Sequence, residues 1–411
     1  MVAPLALGID LGTSGVRVAV IDAAGELLHT QNCTYNKGLV HPGDWISGLT
    51  TLIPGIPGDL RQGIKAIAVD GTSGTLLACD QEGVPLGEAL AYNQSCTEQI
   101  AQLATLASDA GPAASPSGSL ARALRLIERY GSRVLLRHQA DWVNGWLLQN
   151  WSWGEEGNNL RLGWHLEEER WPENFKHCTW LKALPQIRRS GSTLGAISPA
   201  IAKTLGLASS VMVVAGTTDS NAAVLAANPG ANDGVTVLGT TLVLKRFTDF
   251  ALRGPGITSH RVAGRWLCGG ASNTGGGVLL QEFPGIDLKE LSRQINPEHS
   301  SGLHYRPLPG VGERFPIDDP HLQPVLTPRP VSDALHLHGL LEGMARIEAE
   351  GWKRLTALGA KPPQRIITLG GGARNPQWRR LRERALGCRV VSSQAPPAAG
   401  VARLALAAVT I

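Results

Sequence analysis

The chain has 411 residues, 43% of them apolar and only 18% charged, with a formal net charge of +4. That length accommodates two domains with cores of their own, and a small charge without a dense Lys/Arg stripe excludes nucleic acid as an expected partner. No apolar run is long and unbroken enough to span a bilayer, the first residues lack the basic region of a secretory leader, and the six cysteines form no C-x-x-C pair. The expectation is an α/β enzyme with reduced thiols in the cytoplasm.

In chain order, Leu5–Asp10, Val16–Asp22 and Leu27–Tyr35 predict three consecutive strands. The first two flank the Gly-rich turn Gly12-Thr13-Ser14-Gly15. Such a turn can offer backbone N–H groups and the Thr13 and Ser14 hydroxyls to a phosphate, while Asp10, at the end of its strand, can face a hydrated Mg²⁺. A plain β-hairpin would read the same way. Arg17 could assist in neutralising phosphate, but reads more readily as a solvated strand residue. A short helix over Asp44–Leu52 follows, ended by the Pro/Gly cluster from Pro54 to Gly58. The strand Ile64–Asp70 runs into Gly71-Thr72-Ser73-Gly74, and the segment Asp70–Gly74, with Thr72 and Ser73, could reach a polyol or simply form a loop.

Residues 97–135 read as mostly helical, interrupted between Gly111 and Gly118, and Asp141–Leu148 as another helix. The tryptophans from Trp142 to Trp180 are expected to serve mainly as packing. A helix is predicted over Ala196–Leu207 and a buried strand over Val211–Gly216. The segment Gly216-Thr217-Thr218-Asp219-Ser220-Asn221-Ala222 then leads into a helix over Asn221–Ala227. At such a junction Asp219 can be a helix N-cap, kept ionised by backbone N–H groups and the helix dipole. It can equally be a general base that removes a hydroxyl proton; the two are compatible. The polar turn Asn228–Gly234 is the natural domain boundary, which divides the chain into 1–230 and 231–411.

The second half repeats the grammar. Val235–Gly239 and Thr241–Arg246 flank Gly239-Thr240-Thr241, a strand lies around Gly264–Cys268, and Gly275–Gly277 starts a helix. A long helix over Val331–Leu358 precedes the strand Arg365–Leu369, which ends in Gly370-Gly371-Gly372-Ala373-Arg374-Asn375. Such glycines let a backbone approach a flat or anionic ligand closely, although a flexible turn would look alike. Gln377–Leu386, Arg389–Val391 and Ala398–Val409 close the chain as helix, strand and helix. Walker A, protein-kinase, zincin and serine-hydrolase signatures are all missing.

Taken in order, these motifs resemble the FGGY family of carbohydrate kinases, within the actin/hexokinase/Hsp70-like ATPase group. The resemblance is carried by Gly8–Arg17, Gly216–Ala222, Gly239–Thr241, Gly370–Asn375 and the small residues of Ala398–Val409. It implies two ribonuclease-H-like α/β domains of the actin/hexokinase ATPase type with an interdomain cleft, sugar on the first domain and ATP on the second. It implies that Asp219 is the catalytic base and that Asp10, Thr72, Ser73 and Asp219 contact the sugar. Asp10 would also hold Mg²⁺ through water. Gly12, Thr13, Ser14, Gly15, Gly239, Thr240 and Thr241 would cradle phosphate, and Gly371, Gly372 and Asn375 would border the adenosine. Tyr92-Asn93-Gln94 stands where the family often has Trp-x-Asp. The short form is similar to pentulose kinases, which ranks D-ribulose first and D-xylulose second as substrate. A non-catalytic sugar or nucleotide sensor with the same fold is the rival.

Overall fold

Long apolar runs set the two sheets of the chain. β1 (Leu5–Leu11) is buried along its whole length and β2 (Gly15–Ile21) almost so, whereas β3 (Leu27–Thr34) alternates between half-buried and exposed. A strand covered on both faces reads as continuous hydrophobe, and an edge strand alternates. β4 (Ile64–Gly71) joins β1 in parallel. Two small pairs follow, β5 (Leu76–Cys79) with β6 (Leu135–His138) and β7 (Trp153–Glu155) with β8 (Gln186–Arg188). β9 (Thr193–Ala196) and β10 (Met212–Thr218) complete a six-stranded sheet of order β3-β2-β1-β4-β10-β9.

The computed structural model describes residues 4–107 and 111–410; the part of the predicted 97–135 helical region at 108–110 lies outside the described residues. The chain divides into two compact units. The first runs to Ala226 and takes in Arg261–Gly264 and the stretch from Ala395 onward; the second holds Ala227–His260 and Arg265–Gln394. The last helix, Pro397–Ala407, therefore packs within the first compact unit. Small residues are the reason. A Cβ on Gly8 of β1 would stand 1.8 Å from the Ala398 carbonyl oxygen, and one on Gly400 would stand 1.9 Å from that of Ala222. Only glycine lets this helix lie against β1 and the helix Asp219–Ala226 at such range. Leu7, Ile9, Val18, Ile67 and Val213 form the core of this sheet with Trp45 and Trp142, whose rings meet edge to face at 5.7 Å.

In the second unit β11 (Asp233–Leu238) and β12 (Leu242–Thr248) form an antiparallel hairpin. With β13 (Ile257–Val262), β14 (Arg265–Ser272), β15 (Arg365–Leu369) and β16 (Arg389–Ser392) they give the order β13-β14-β12-β11-β15-β16. β15 and β16 run parallel to β11. Each sheet is thus an antiparallel group extended by parallel strands, the first closed at its far edge by the antiparallel β9. The helix Asp333–Ala357 buries Leu337, Leu340, Leu341 and Met344 in this unit's core.

The predicted helix Ala196–Leu207 is shorter, Pro199–Leu205, because Pro199 starts it and Gly206, at φ +66°, ends it. Residues Thr193–Ala196 are strand instead. The Pro/Gly cluster after Ile53 contains a short helix, Gly58–Gly63. All six cysteines are free, and among the described residues no helix is long and apolar enough to cross a membrane.

Candidate active site

In the first unit β1, β4 and β10 are adjacent parallel strands, and each ends in or just before an aspartate: Asp10, Asp70 and Asp219. The register sets Asp10 beside Asp70, and Asp70 beside Thr217. The carboxyl ends of parallel strands are where α/β sheets place ligands. Asp10 is 2% exposed and accepts a hydrogen bond from the Arg17 guanidinium at 3.0 Å. Arg17 is therefore not merely a solvated strand residue: it holds the Asp10 charge. The β1–β2 turn closes with the Gly12 amide donating to the Gly15 carbonyl at 3.0 Å. Thr13 and Ser14 are exposed at its tip, open to a phosphate.

Asp219 is the first residue of the helix Asp219–Ala226. Its Oδ1 accepts from the Ser220 amide at 2.8 Å, the next residue, so it does not reach the second or third amide as an N-cap does. The helix start leaves the carboxyl ionised at neutral pH but does not hold its pKa down. Burial outweighs the Ser220 and Ser73 amides, and the Asp10 charge adds to it, so the carboxyl is pushed up to about 6. A base must be deprotonated to act, so kcat/KM for the sugar is expected to fall as pH drops through about 6, approaching tenfold per pH unit well below it. A rate profile from pH 5 to 8 checks this; a flat profile would separate Asp219 from proton transfer.

Asp70 was not singled out from sequence. It is fully buried, and neither carboxylate oxygen has a hydrogen-bond partner among the described residues. Burial pushes its pKa well up, and the Asp10 and Asp219 charges push it further. The available signal was an acid closing the apolar run Ile64–Val69, the same pattern that marks Asp10.

Thr72 and Ser73 part company. The Thr72 amide and hydroxyl both donate to Gln139 Oε1, at 3.1 and 2.8 Å, and Thr72 Oγ1 lies 2.6 Å from Thr75 Oγ1. Thr75 Oγ1 in turn accepts from the Tyr92 amide. The Thr72 hydroxyl is thus spent inside the protein, and Thr72 shapes the turn instead of reaching a polyol. Ser73 is half-buried and turns its amide toward Asp219.

In the second unit a cavity of about 910 Å³ is lined by Gly239, Thr240, Gly371, Gly372 and Asn375, together with Leu279, Leu337 and Trp378. Thr241 is not part of that lining; its carbonyl accepts from the Gly239 amide at 3.1 Å. The Gly276 and Gly277 amides donate to the Gly239 and Thr240 carbonyls, both at 2.9 Å, so the helix start Gly275–Gly277 pins the turn from behind. Asn375 caps the helix Pro376–Leu386 by accepting from the Trp378 amide at 3.0 Å, and its Nδ2 donates to Ser292 Oγ at 2.8 Å. It borders the cavity with both side-chain groups engaged. The size and the largely apolar wall suit a nucleoside.

Among the described residues no three His, Cys, Asp or Glu side chains could cage a metal. With one carboxylate oxygen held by Arg17, Asp10 offers its other oxygen as a hard donor. That suits Mg²⁺, which keeps most of its waters and takes its remaining ligands from substrate phosphate.

Residues 234–409 match the C-terminal domain of the FGGY family of carbohydrate kinases. The chain is 24% identical to a xylulose kinase of Escherichia coli (strain K12) over 97% of its own length and 89% of the relative's. Its fold is that of a ligand-bound xylulose kinase from Lactobacillus acidophilus, at TM-score 0.81 and 16% identity, covering 98% of this chain and 89% of that one. It is equally that of a Plasmodium falciparum glycerol kinase with ADP, at TM-score 0.82 and 18% identity, covering 99% and 90%. The matched segment holds the Gly239–Thr241 and Gly370–Asn375 turns, so residues 234–409 form a C-terminal domain of the FGGY family of carbohydrate kinases.

Proposed function

We propose that this carbohydrate kinase transfers the γ-phosphoryl group of ATP to a hydroxyl of a ketopentose, with D-ribulose as the preferred acceptor. The observation that carries the reading is Asp219: a buried carboxyl pushed up to about 6, at the end of a parallel strand beside Asp10 and Asp70. Its pKa is matched to taking a hydroxyl proton near neutral pH. A pure sensor has no use for such a base.

In this reading Asp219 accepts the proton of the attacking hydroxyl, and Ser73 and Asp10 help to hold the sugar. Gly12, Thr13, Ser14 and Gly15 receive the transferred phosphoryl group. Gly239, Thr240, Gly371, Gly372 and Asn375 hold the nucleotide, with Thr241 shaping the turn. Mg²⁺, when bound at Asp10 through water, neutralises phosphate charge. Phosphoryl transfer asks a protein mainly for positioning and charge complementarity.

D-ribulose is placed first because the chain resembles short pentulose kinases. D-xylulose is the second reading, favoured by the relatives named xylulose kinase. Coupled ADP release with D-ribulose, D-xylulose, L-ribulose and glycerol tests both. The highest kcat/KM is expected for D-ribulose. Glycerol should be poor, because fewer hydroxyls leave buried polar groups unpaired. A higher value for D-xylulose would reverse the ranking and leave the kinase standing; sugar-independent turnover, or none at all, would overturn the kinase reading.

A further inference from the structure

Gln139 begins the helix Gln139–Leu148 and is fully buried. Its amide orientation is dictated by chemistry: the Thr72 backbone N–H can only donate, so the atom it meets at 3.1 Å must be the carbonyl oxygen. The Thr72 hydroxyl donates to that same oxygen. Gln139 Nε2 is thereby turned toward the Tyr35 hydroxyl, 3.5 Å away, and a side-chain NH₂ can only donate. Tyr35 must act as the acceptor in that pair, which leaves its own O–H proton to be given elsewhere. Among the described residues no acceptor takes it.

Tyr35 is also tied to the phosphate-facing turn, since its amide donates to the Ser14 carbonyl at 3.1 Å. Through Gln139 its hydroxyl is tied to Thr72, two residues beyond Asp70, which puts the phenol at the end of the sheet where the strand-end carboxylates gather; the Asp10 charge is felt there. A half-buried hydroxyl whose acceptor side is occupied is a one-way donor. It rewards a ligand oxygen that accepts and rejects a group that only donates.

Resting on the kinase reading above, we infer that Tyr35, oriented by Gln139, is a specificity-determining donor to an oxygen of the acceptor sugar. Thr72, Gln139 and Tyr35 form one polarised line from the β4 turn to the phosphate turn. Thr72 and Gln139 act through Tyr35, without touching the sugar. The family motifs do not contain Tyr35 or Gln139, so the line is visible only in three dimensions.

The test is steady-state kinetics of Tyr35→Phe and Gln139→Leu with whichever of D-ribulose and D-xylulose the wild type turns over faster. Tyr35→Phe deletes one donor and is expected to raise the sugar KM about tenfold, the ordinary worth of one such bond. The KM for ATP should stay within error, and the melting temperature should fall by only a few degrees, because the buried Gln139 Nε2 loses its acceptor. Gln139→Leu should raise the sugar KM at least as much, and the double variant no more than Gln139→Leu alone. A sugar KM within twofold of wild type for Tyr35→Phe would overturn the inference. So would additive losses in the double variant, which would make the two residues independent. If Gln139→Leu fails to fold, Tyr35→Phe decides alone. Wild-type protein that turns over neither pentulose would remove the kinase reading and this inference together.

Discussion

Asp219→Asn is expected to lower kcat by about 10²–10⁴-fold while sugar affinity stays nearly unchanged, the usual cost of removing a general base. That corresponds to roughly 3–5 kcal/mol of barrier. The substitution keeps shape and volume. The Asn carbonyl oxygen can still accept from the Ser220 amide, which meets Asp219 at 2.8 Å, so the start of the helix Asp219–Ala226 should survive. Loss of affinity alone, with kcat kept, would mean that Asp219 binds substrate without moving a proton. Full retention of both would reduce it to a helix-start residue. Neighbouring charge sharpens the test, because replacing the carboxylate also removes repulsion from Asp10 and Asp70. A small gain in thermal stability together with the kcat loss is therefore the pattern that separates a base from a structural residue.

Much of the fold was legible because apolar periodicity and glycine placement are local properties. The runs at Leu5–Leu11, Ile64–Gly71, Met212–Thr218 and Arg365–Leu369 each ended where a polar or glycine-rich turn had been read. The short strands β7 and β8 were not legible, since three residues carry no period. The packing of the last helix within the first compact unit was not legible for a similar reason. Sequence order says nothing about which backbone a glycine at position 8 or 400 will admit. In the site, Asp10 and Asp219 announced themselves by ending apolar runs. Asp70 ends an apolar strand as well but carries no separate signal within the segment Asp70–Gly74, because its meaning depends on the register that sets it beside Asp10. Thr72 failed in the opposite direction: a small hydroxyl in a turn looks available until its partner, Gln139, is brought to it from 67 positions along the chain. Burial likewise pushes the Asp219 carboxyl up to about 6 where a helix start alone would lower it, because the helix start acts locally whereas desolvation depends on every element packed around it.

Glu348→Ala is expected to cost about 3–5 kcal/mol of stability in the second unit, as breaking a buried ion pair does. At roughly 2–4 °C per kcal/mol for a domain of this size, melting should fall by ~6–20 °C. Glu348, on the helix Asp333–Ala357, is fully buried and meets Arg382 in two bonds, at 2.5 and 2.8 Å. Its Oε1 also accepts from Thr236 of β11 at 2.6 Å, and Arg382 donates to Thr368 of β15 at 2.7 Å. Removing the carboxylate leaves a guanidinium that is 1% exposed without its counter-charge, and that penalty exceeds the lost contacts. Replacing both partners, Glu348→Leu with Arg382→Met, should recover most of the loss, because the uncompensated charge disappears with the pair. The pair also has a kinetic reach. Arg382 lies on the helix Pro376–Leu386, whose first residues Pro376, Gln377 and Trp378 line the 910 Å³ cavity. Below its melting temperature the single variant should therefore raise the KM for ATP more than that for the sugar. Equal rises in both would show that the damage spreads beyond the nucleotide unit, and an unchanged melting curve would show that Arg382 finds water or another acceptor when Glu348 is gone.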